Sequence, residues 1–267
     1  MSKVVFITGG SSGIGRSIGE FLFEKGYTVF GTSRSPDSVK DSKFPLIAMD
    51  VRSTESISMA IAQVIAKAGT IDVLVNNAGV GITGPVEEIP TAEIRNHFEV
   101  NLFGPIEVIK AALPQMRIQK SGLIINITSI AGYMGLPYRG IYSAAKGALE
   151  LVTESLRMEV KSQGIIITSA APGDFATNIA TGRYHAPVLP GSPYEAPYGN
   201  TLKELNEHVD GGSNPLQMAE AVYAIMKTPH PAVHYRVGMF MQKFSIVLKK
   251  VLPDKMYEKM LMNHYKL

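Results

Sequence analysis

At 267 residues and 45% apolar content, the chain can bury the core of one large α/β domain or two small ones, which excludes a disordered or fibrous protein. The formal charge of +3 is scattered, with Lys249-Lys250 the densest basic spot, so no nucleic-acid partner is expected. Cysteine is absent, which removes disulfides, thiolate metal sites and cysteine nucleophiles together. The first apolar run is quickly broken by glycine and no run reaches roughly eighteen apolar residues, so a cytoplasmic protein without a transmembrane segment is expected.

Short apolar runs recur at Val4 to Ile7, Thr28 to Thr32, Leu46 to Met49, Val73 to Val75, Leu123 to Ile127, Ile165 to Ala170 and, more weakly, Val233 to Val237. Their continuous hydrophobicity suits strands covered on both faces. The stretches between them, Ile14 to Lys25, Thr54 to Ala68, Thr91 to Met116 and Tyr138 to Gln163, are long enough for crossover helices. The pattern predicts one Rossmann-type α/β domain over 1–267, a doubly wound, mostly parallel seven-stranded sheet with helices on both faces. Residues 178–214, rich in Pro, Gly and Tyr, interrupt the alternation and suggest a flap over a pocket. A C-terminal extension over 239–267 places Phe240, Phe244, Val247, Leu248 and Val251 at helical spacing, and Pro253 divides it into two helices.

Directly after the first run comes "TGGSSGIG", Thr8 to Gly15. A strand-to-helix turn can approach a pyrophosphate where side chains are missing, and the following helix N-terminus offers free N–H donors. Gly9, Ser11, Ser12, Gly13, Ile14 and Gly15 are therefore candidate phosphate contacts, although the spacing is not G-x-G-x-x-G. At the end of the second run, where an acid would hold the ribose diol of NAD, "GTSRSPD" has Ser33 and Arg34. A guanidinium there suits the 2′-phosphate of NADP, while Asp37 could serve the diol and keeps NAD as the alternative.

"YSAAK", Tyr142 to Lys146, sets a phenol and an amine one helical turn apart. A phenol of ordinary pKa about 10 is a weak base near neutrality, and a cation one turn away favours loss of its proton. Ser129, ending the fifth run at the carboxyl edge of the sheet, can donate a hydrogen bond to the same carbonyl oxygen. With no His/Asp partner in an obvious motif, Ser129 does not read as a hydrolase nucleophile.

Taken together, "TGGSSGIG", "NNAG" at Asn76 to Gly79, Asn101 in "VNLFG", Ser129 in "NITS", "YSAAK", and "PGDFATN" at Pro172 to Asn178 resemble the short-chain dehydrogenase/reductase family. The part from Pro215 onward looks like its hydroxysteroid and retinol dehydrogenase branch. The resemblance implies a nicotinamide-dependent oxidoreductase acting on carbonyls and secondary alcohols. It implies Asn101, Ser129, Tyr142 and Lys146 as catalytic residues, with Asn101 anchoring a water in a relay to Lys146 and Lys146 also holding the nicotinamide ribose. It further implies Asp50 and Val51 as adenine contacts, Asn76, Ala78 and Gly79 as the turn passing the cofactor, and Pro172, Gly173 and Thr177 as the loop that holds the carboxamide. A homodimer or homotetramer through the helices at 91–116 and 138–163 is implied by the same analogy.

Specificity is expected in Ile130 to Arg139 and in Asn178 to Asn214, where Met134, Leu136, Pro137, Tyr184, Tyr194 and Tyr198 make an apolar, aromatic rim. That rim suits a lipophilic carbonyl or alcohol substrate. The C-terminal stripe packs on the core or closes the pocket, pairs subunits, or lies on a membrane with Lys243, Lys249 and Lys250 reaching headgroups, in that order of preference. His97, His185, His208, His230, His234 and His264 are too dispersed for a metal site. A dinucleotide sensor that does not catalyse is the remaining alternative, but it has no use for a primed phenol.

Overall fold

The computed structural model describes residues 2–175, 182–207 and 212–267, apart from the side chains of 205–207. Seven strands form one parallel sheet: β1 (Val4–Ile7), β2 (Thr28–Ser33), β3 (Leu46–Ala48), β4 (Val73–Asn76), β6 (Gly122–Ile127), β7 (Ile165–Pro172) and β9 (His234–Val237). Their spatial order is β3-β2-β1-β4-β6-β7-β9. The chain winds outward from β1 in one direction and, after crossing to β4, in the other. The carboxyl edge therefore opens a crevice between β1 and β4, where ligands of such sheets bind.

Alternate strand residues feed opposite faces. Val4 and Phe6 pack with α2 (Thr54–Ala68) and α4 (Gly104–Gln119) through Ile57, Ile61, Val64, Ile109 and Met116. Val5 and Ile7 pack with α1 (Gly13–Glu24) and α7 (Leu216–Lys227) through Ile18, Leu22, Met218 and Val222. Burial on both sides is why the strands read as continuous apolar runs.

Three features differ from the sequence expectation. The helix expected over Thr91 to Met116 divides into α3 (Thr91–Phe98), a π-helical turn at Glu99–Phe103, and α4. The wider turn holds an extra residue, a local irregularity that periodicity cannot resolve and that is frequent at functional sites. A second sheet pairs β5 (Ile82–Thr83) with β8 (Tyr184–His185), strands too short to carry an alternation signal. The region expected as a flap contributes β8 and α6 (Glu195–Glu207). Its Tyr198 is fully buried, donating from its hydroxyl to Ala186 O at 2.9 Å and to Thr83 O at 3.3 Å. The 20-residue α5 (Gly140–Glu159) carries Tyr142 and Lys146. The C-terminal helices α8 (Phe240–Val251) and α9 (Asp254–Tyr265) turn back over the end of β6 and β7, packing Ile246 and Tyr257 against Ile130, Met134 and Ala171.

Candidate active site

Between β1 and β4 lies a cleft of about 410 Å³ lined by Gly9, Ser11, Ser12, Gly13 and Ile14 on one side and Asn77, Ala78, Gly79 and Val80 on the other. Thr8 ties the two loops together: its Oγ1 accepts from the backbone N–H of Asn77 at 2.9 Å and of Ala78 at 3.0 Å. Asn77 returns the tie, donating from Nδ2 to Thr8 O at 3.0 Å and Gly9 O at 3.1 Å. Gly15 explains its own identity: a Cβ there would lie 2.3 Å from both Asn77 Nδ2 and Gly9 O. Gly13, with φ +54°, starts α1 in the left-handed region. The result is a bare backbone turn leading into a helix N-terminus, the donor set a pyrophosphate requires.

The far end of the cleft is lined by Ser33, Arg34, Asp50, Val51 and Arg52. Hydrogen bonding from Arg52 holds the Asp50 carboxyl below the ordinary carboxylate range, with a smaller contribution from the charge of exposed Arg34. Arg52 Nη2 lies 2.6 Å from Asp50 Oδ2, a partner that sequence reading missed because the ion pair spans only two residues in a loop. Asp37 does not line the cleft. Asn76 is a further difference. Its side chain turns inward, donating from Nδ2 to Asn126 Oδ1 at 2.9 Å and Pro105 O at 3.3 Å, because the last residue of β4 points into the packed layer. Its neighbour Asn77 takes the cleft position.

The expected catalytic residues gather at the carboxyl ends of β4 and β6. Ser129 is buried at the start of a short 3₁₀ turn, its Oγ accepting from Ala131 N at 3.2 Å, which leaves its hydroxyl proton free to donate. Lys146 is 5% exposed and donates from Nζ to Ile127 O at 3.1 Å; burial draws its pKa down to about 8, against a raising influence from Glu150. A Cβ on Gly79 would lie 2.9 Å from Asn101 Oδ1 and 3.6 Å from Lys146 Nζ, so both side chains converge on the cofactor turn. Asn101 sits on the π-helical turn and donates from Nδ2 to Val80 O at 3.0 Å and His97 O at 3.1 Å. With Val80 N–H donating back to Asn101 Oδ1 at 3.4 Å, these bonds fasten the Val80 backbone. Tyr142 faces His97 at 5.8 Å between ring centroids, and burial beside the Lys146 charge pushes His97 down to about 4. The Arg139 guanidinium lies 5.3 Å from the Tyr142 ring centre.

Behind Lys146, one more turn along α5, stands buried Glu150. Thr128 Oγ1 donates to it at 2.5 Å and Ser169 Oγ at 2.6 Å, while His234 Nδ1 on β9 lies 2.7 Å away. His234 Nε2 reaches Glu154 at 3.0 Å, near solvent. Sequence inspection could have found Glu150 and Glu154 as continuing the i,i+4 series from Tyr142 and Lys146, but nothing in it pointed to His234.

A second cavity, about 390 Å³, opens at Ser129. Ile130, Met134, Leu136 and Arg139 line it from one side, and Met241, Leu248, Met260 and Leu261 from the C-terminal helices. Tyr257 Oη donates to Met134 Sδ at 2.8 Å, locking α9 to the Ser129 turn. The apolar rim is thus real at Met134 and Leu136. Tyr184, Tyr194 and Tyr198 instead form a separate small core with Ile82 and Ile89, and neither they nor Pro137 line this cavity. Gly173 lines it, with its N–H held by Val237 O at 2.8 Å; Pro172 ends β7 beside it. Thr177 lies outside the described residues.

A doubly wound parallel sheet with a glycine turn at its switch point, a serine after β6 and a tyrosine and lysine one turn apart on α5 fits a nicotinamide-dependent oxidoreductase. The chain belongs to the short chain dehydrogenase family, whose model matches residues 3–187. It is 36% identical over 257 residues, 96% of this chain and 95% of the relative, to a 3-ketodihydrosphingosine reductase of Bacteroides thetaiotaomicron. It is 30% identical over 275 residues, 96% of this chain and 95% of the relative, to an NADPH-dependent 3-dehydrocapnine reductase of Ornithobacterium rhinotracheale. Among solved structures, a short-chain dehydrogenase from Streptomyces avermitilis superposes with a TM-score of 0.83 at 31% identity, covering 100% of this chain and 96% of that one. Neither curated relative is named for a steroid or retinoid, so the expected hydroxysteroid or retinol branch gains no support from them. Among the described residues no helix is long and apolar enough to cross a membrane.

Proposed function

We propose that the chain is an NADP-dependent reductase of a lipophilic ketone, with Tyr142 as the group that gives the carbonyl oxygen its proton. The observation that carries the reading is an apolar cavity opening at Ser129 in a chain whose glycine-lined cleft ends in Arg34. The names of the two curated relatives, both for 3-keto compounds and one for NADPH, support it.

In this reading the Gly9 to Gly15 turn holds the pyrophosphate, Ser33 and Arg34 the 2′-phosphate, and Asp50 and Val51 the adenine. Ala78 and Gly79 hold the cofactor's middle, Lys146 the nicotinamide ribose, and Pro172, Gly173 and Thr177 the carboxamide. When bound, NADPH supplies the hydride. Ser129 donates a hydrogen bond to the substrate oxygen and fixes it beside the phenol, while Met134, Leu248 and Leu261 exclude water from the apolar part of the substrate. Tyr142 transfers its proton to that oxygen, and the Lys146 ammonium one turn away stabilises the phenolate left behind. Exposed Ile118, Leu151 and Met158 on α4 and α5 support a homo-oligomer assembled through those helices.

The test is NADPH oxidation, against NADH, with a long-chain 3-keto amine and with short water-soluble ketones. Turnover of the long-chain ketone with NADPH preferred is expected. Silence toward every ketone while NADPH still binds would contradict the proposal.

A further inference from the structure

The outward face of α8 is built the wrong way round for a surface helix. Phe240, Phe244, Val247 and Val251 recur at the i, i+4, i+7, i+11 spacing of a single stripe, yet they are 71%, 38%, 44% and 74% exposed. The Phe240 and Phe244 rings stack on each other, 5.7 Å between centroids. The inward face is already employed: Ile246 is buried, and Ser245 and Leu248 line the substrate cavity. Isolated exposed apolar residues are ordinary, but four on one face of one helix are not.

Charge identifies what covers them. Lys243 and Lys250, seven residues apart, flank one side of the stripe. Over 239–267 there are six lysines against two acids, an excess larger than the +3 of the whole chain. A second copy seated on this face about a two-fold axis would bring these lysines toward their own equivalents, whereas an anionic lipid surface is complementary to them. Met241 is 67% exposed and also lines the cavity, so the stripe continues onto the cavity rim.

We propose that the α8 face seats on an anionic lipid bilayer, with Phe240, Phe244, Val247 and Val251 in the acyl boundary and Lys243 and Lys250 among the headgroups. The cavity rim then faces the membrane. That this positions the enzyme to take up a membrane-dissolved ketone rests on the proposed function; the docking itself rests on the helix surface alone.

The test is flotation of the full chain with phosphatidylcholine vesicles, with and without phosphatidylglycerol. The parent chain is expected to float with the phosphatidylglycerol vesicles and to be released by salt. Phe240→Ser with Phe244→Ser, and separately Lys243→Glu with Lys250→Glu, are expected to weaken partitioning by roughly tenfold or more. Both pairs should leave NADPH-linked turnover of a water-soluble ketone unchanged. No flotation of the parent, or equal flotation of parent and variants, would overturn the proposal. Loss of a dimer or tetramer by light scattering in the variants, without vesicle binding by the parent, would assign the face to a second copy and overturn it as well. Vesicle binding without turnover of any ketone would leave the docking standing and remove the functional reading.

Discussion

Between β1 and β4 the carboxyl edge is shaped by backbone, whereas between β6 and β9 it is shaped by side chains drawn from remote parts of the chain. In the first region Thr8, Asn77 and the glycines hold two loops within hydrogen-bond distance. In the second, Met134 on the turn after β6 faces a cavity shared with Leu248 of α8 and is held directly by Tyr257 of α9. A common cofactor needs a fixed surface and a substrate needs an individual one. Lys146 on α5 links the two, its Nζ beside the Gly79 turn and donating to Ile127 O at the end of β6.

Four variants test this contrast. Tyr142→Phe is expected to lower turnover by about 10²–10⁴-fold while NADPH affinity, read by fluorescence, stays unchanged. Parent-like turnover would show that another group moves the proton. Ser33→Asp combined with Arg34→Ala acts on the backbone-built half alone. The ratio of NADPH to NADH efficiency should fall by about ten- to a hundredfold with the ketone KM unaltered; an unchanged ratio would remove Arg34 from cofactor selection. Leu248→Ala does the reverse: KM for an apolar ketone should rise about tenfold with NADPH affinity preserved, and equal KM values would separate α8 from the substrate site.

Glu150→Gln gives the smallest effect, read as a pH profile. Lys146 is charged below its pKa of about 8 and loses that charge as pH rises through it, so activity that needs the ammonium should decline above that pH. Removing the negative neighbour takes away an influence that raises the Lys146 pKa, so the decline should move to lower pH. The variant should also lose about 1–3 kcal/mol of stability through the Thr128 and Ser169 hydrogen bonds. A profile identical to the parent's would confine Glu150 to a packing role.

The same contrast explains what could be read from the chain. The strands were legible because burial on both faces leaves uninterrupted apolar runs, and the cofactor turn because a backbone cradle is written in consecutive glycines. Tyr142 and Lys146 were legible because one helical turn relates them. The substrate wall was not, because Met134 and Tyr257 are separated by 123 residues and only the return of α9 over the sheet edge joins them. Tyr198 misled for a related reason: aromatic residues in a loop-like stretch can fold inward, and here its hydroxyl finds two backbone carbonyls. Asn76 and Asn77 are adjacent in an identical residue type, so only the direction of the strand end separates the structural one from the one on the cleft.

The proposed reduction of a lipophilic ketone is tested most directly by kcat/KM with NADPH across a homologous series of linear ketones of increasing chain length. Each added methylene buried between Met134, Leu248 and Leu261 should raise kcat/KM by roughly fourfold until the cavity is filled. Equal values for the shortest and longest ketones would contradict a lipophilic substrate and the part assigned to the C-terminal helices.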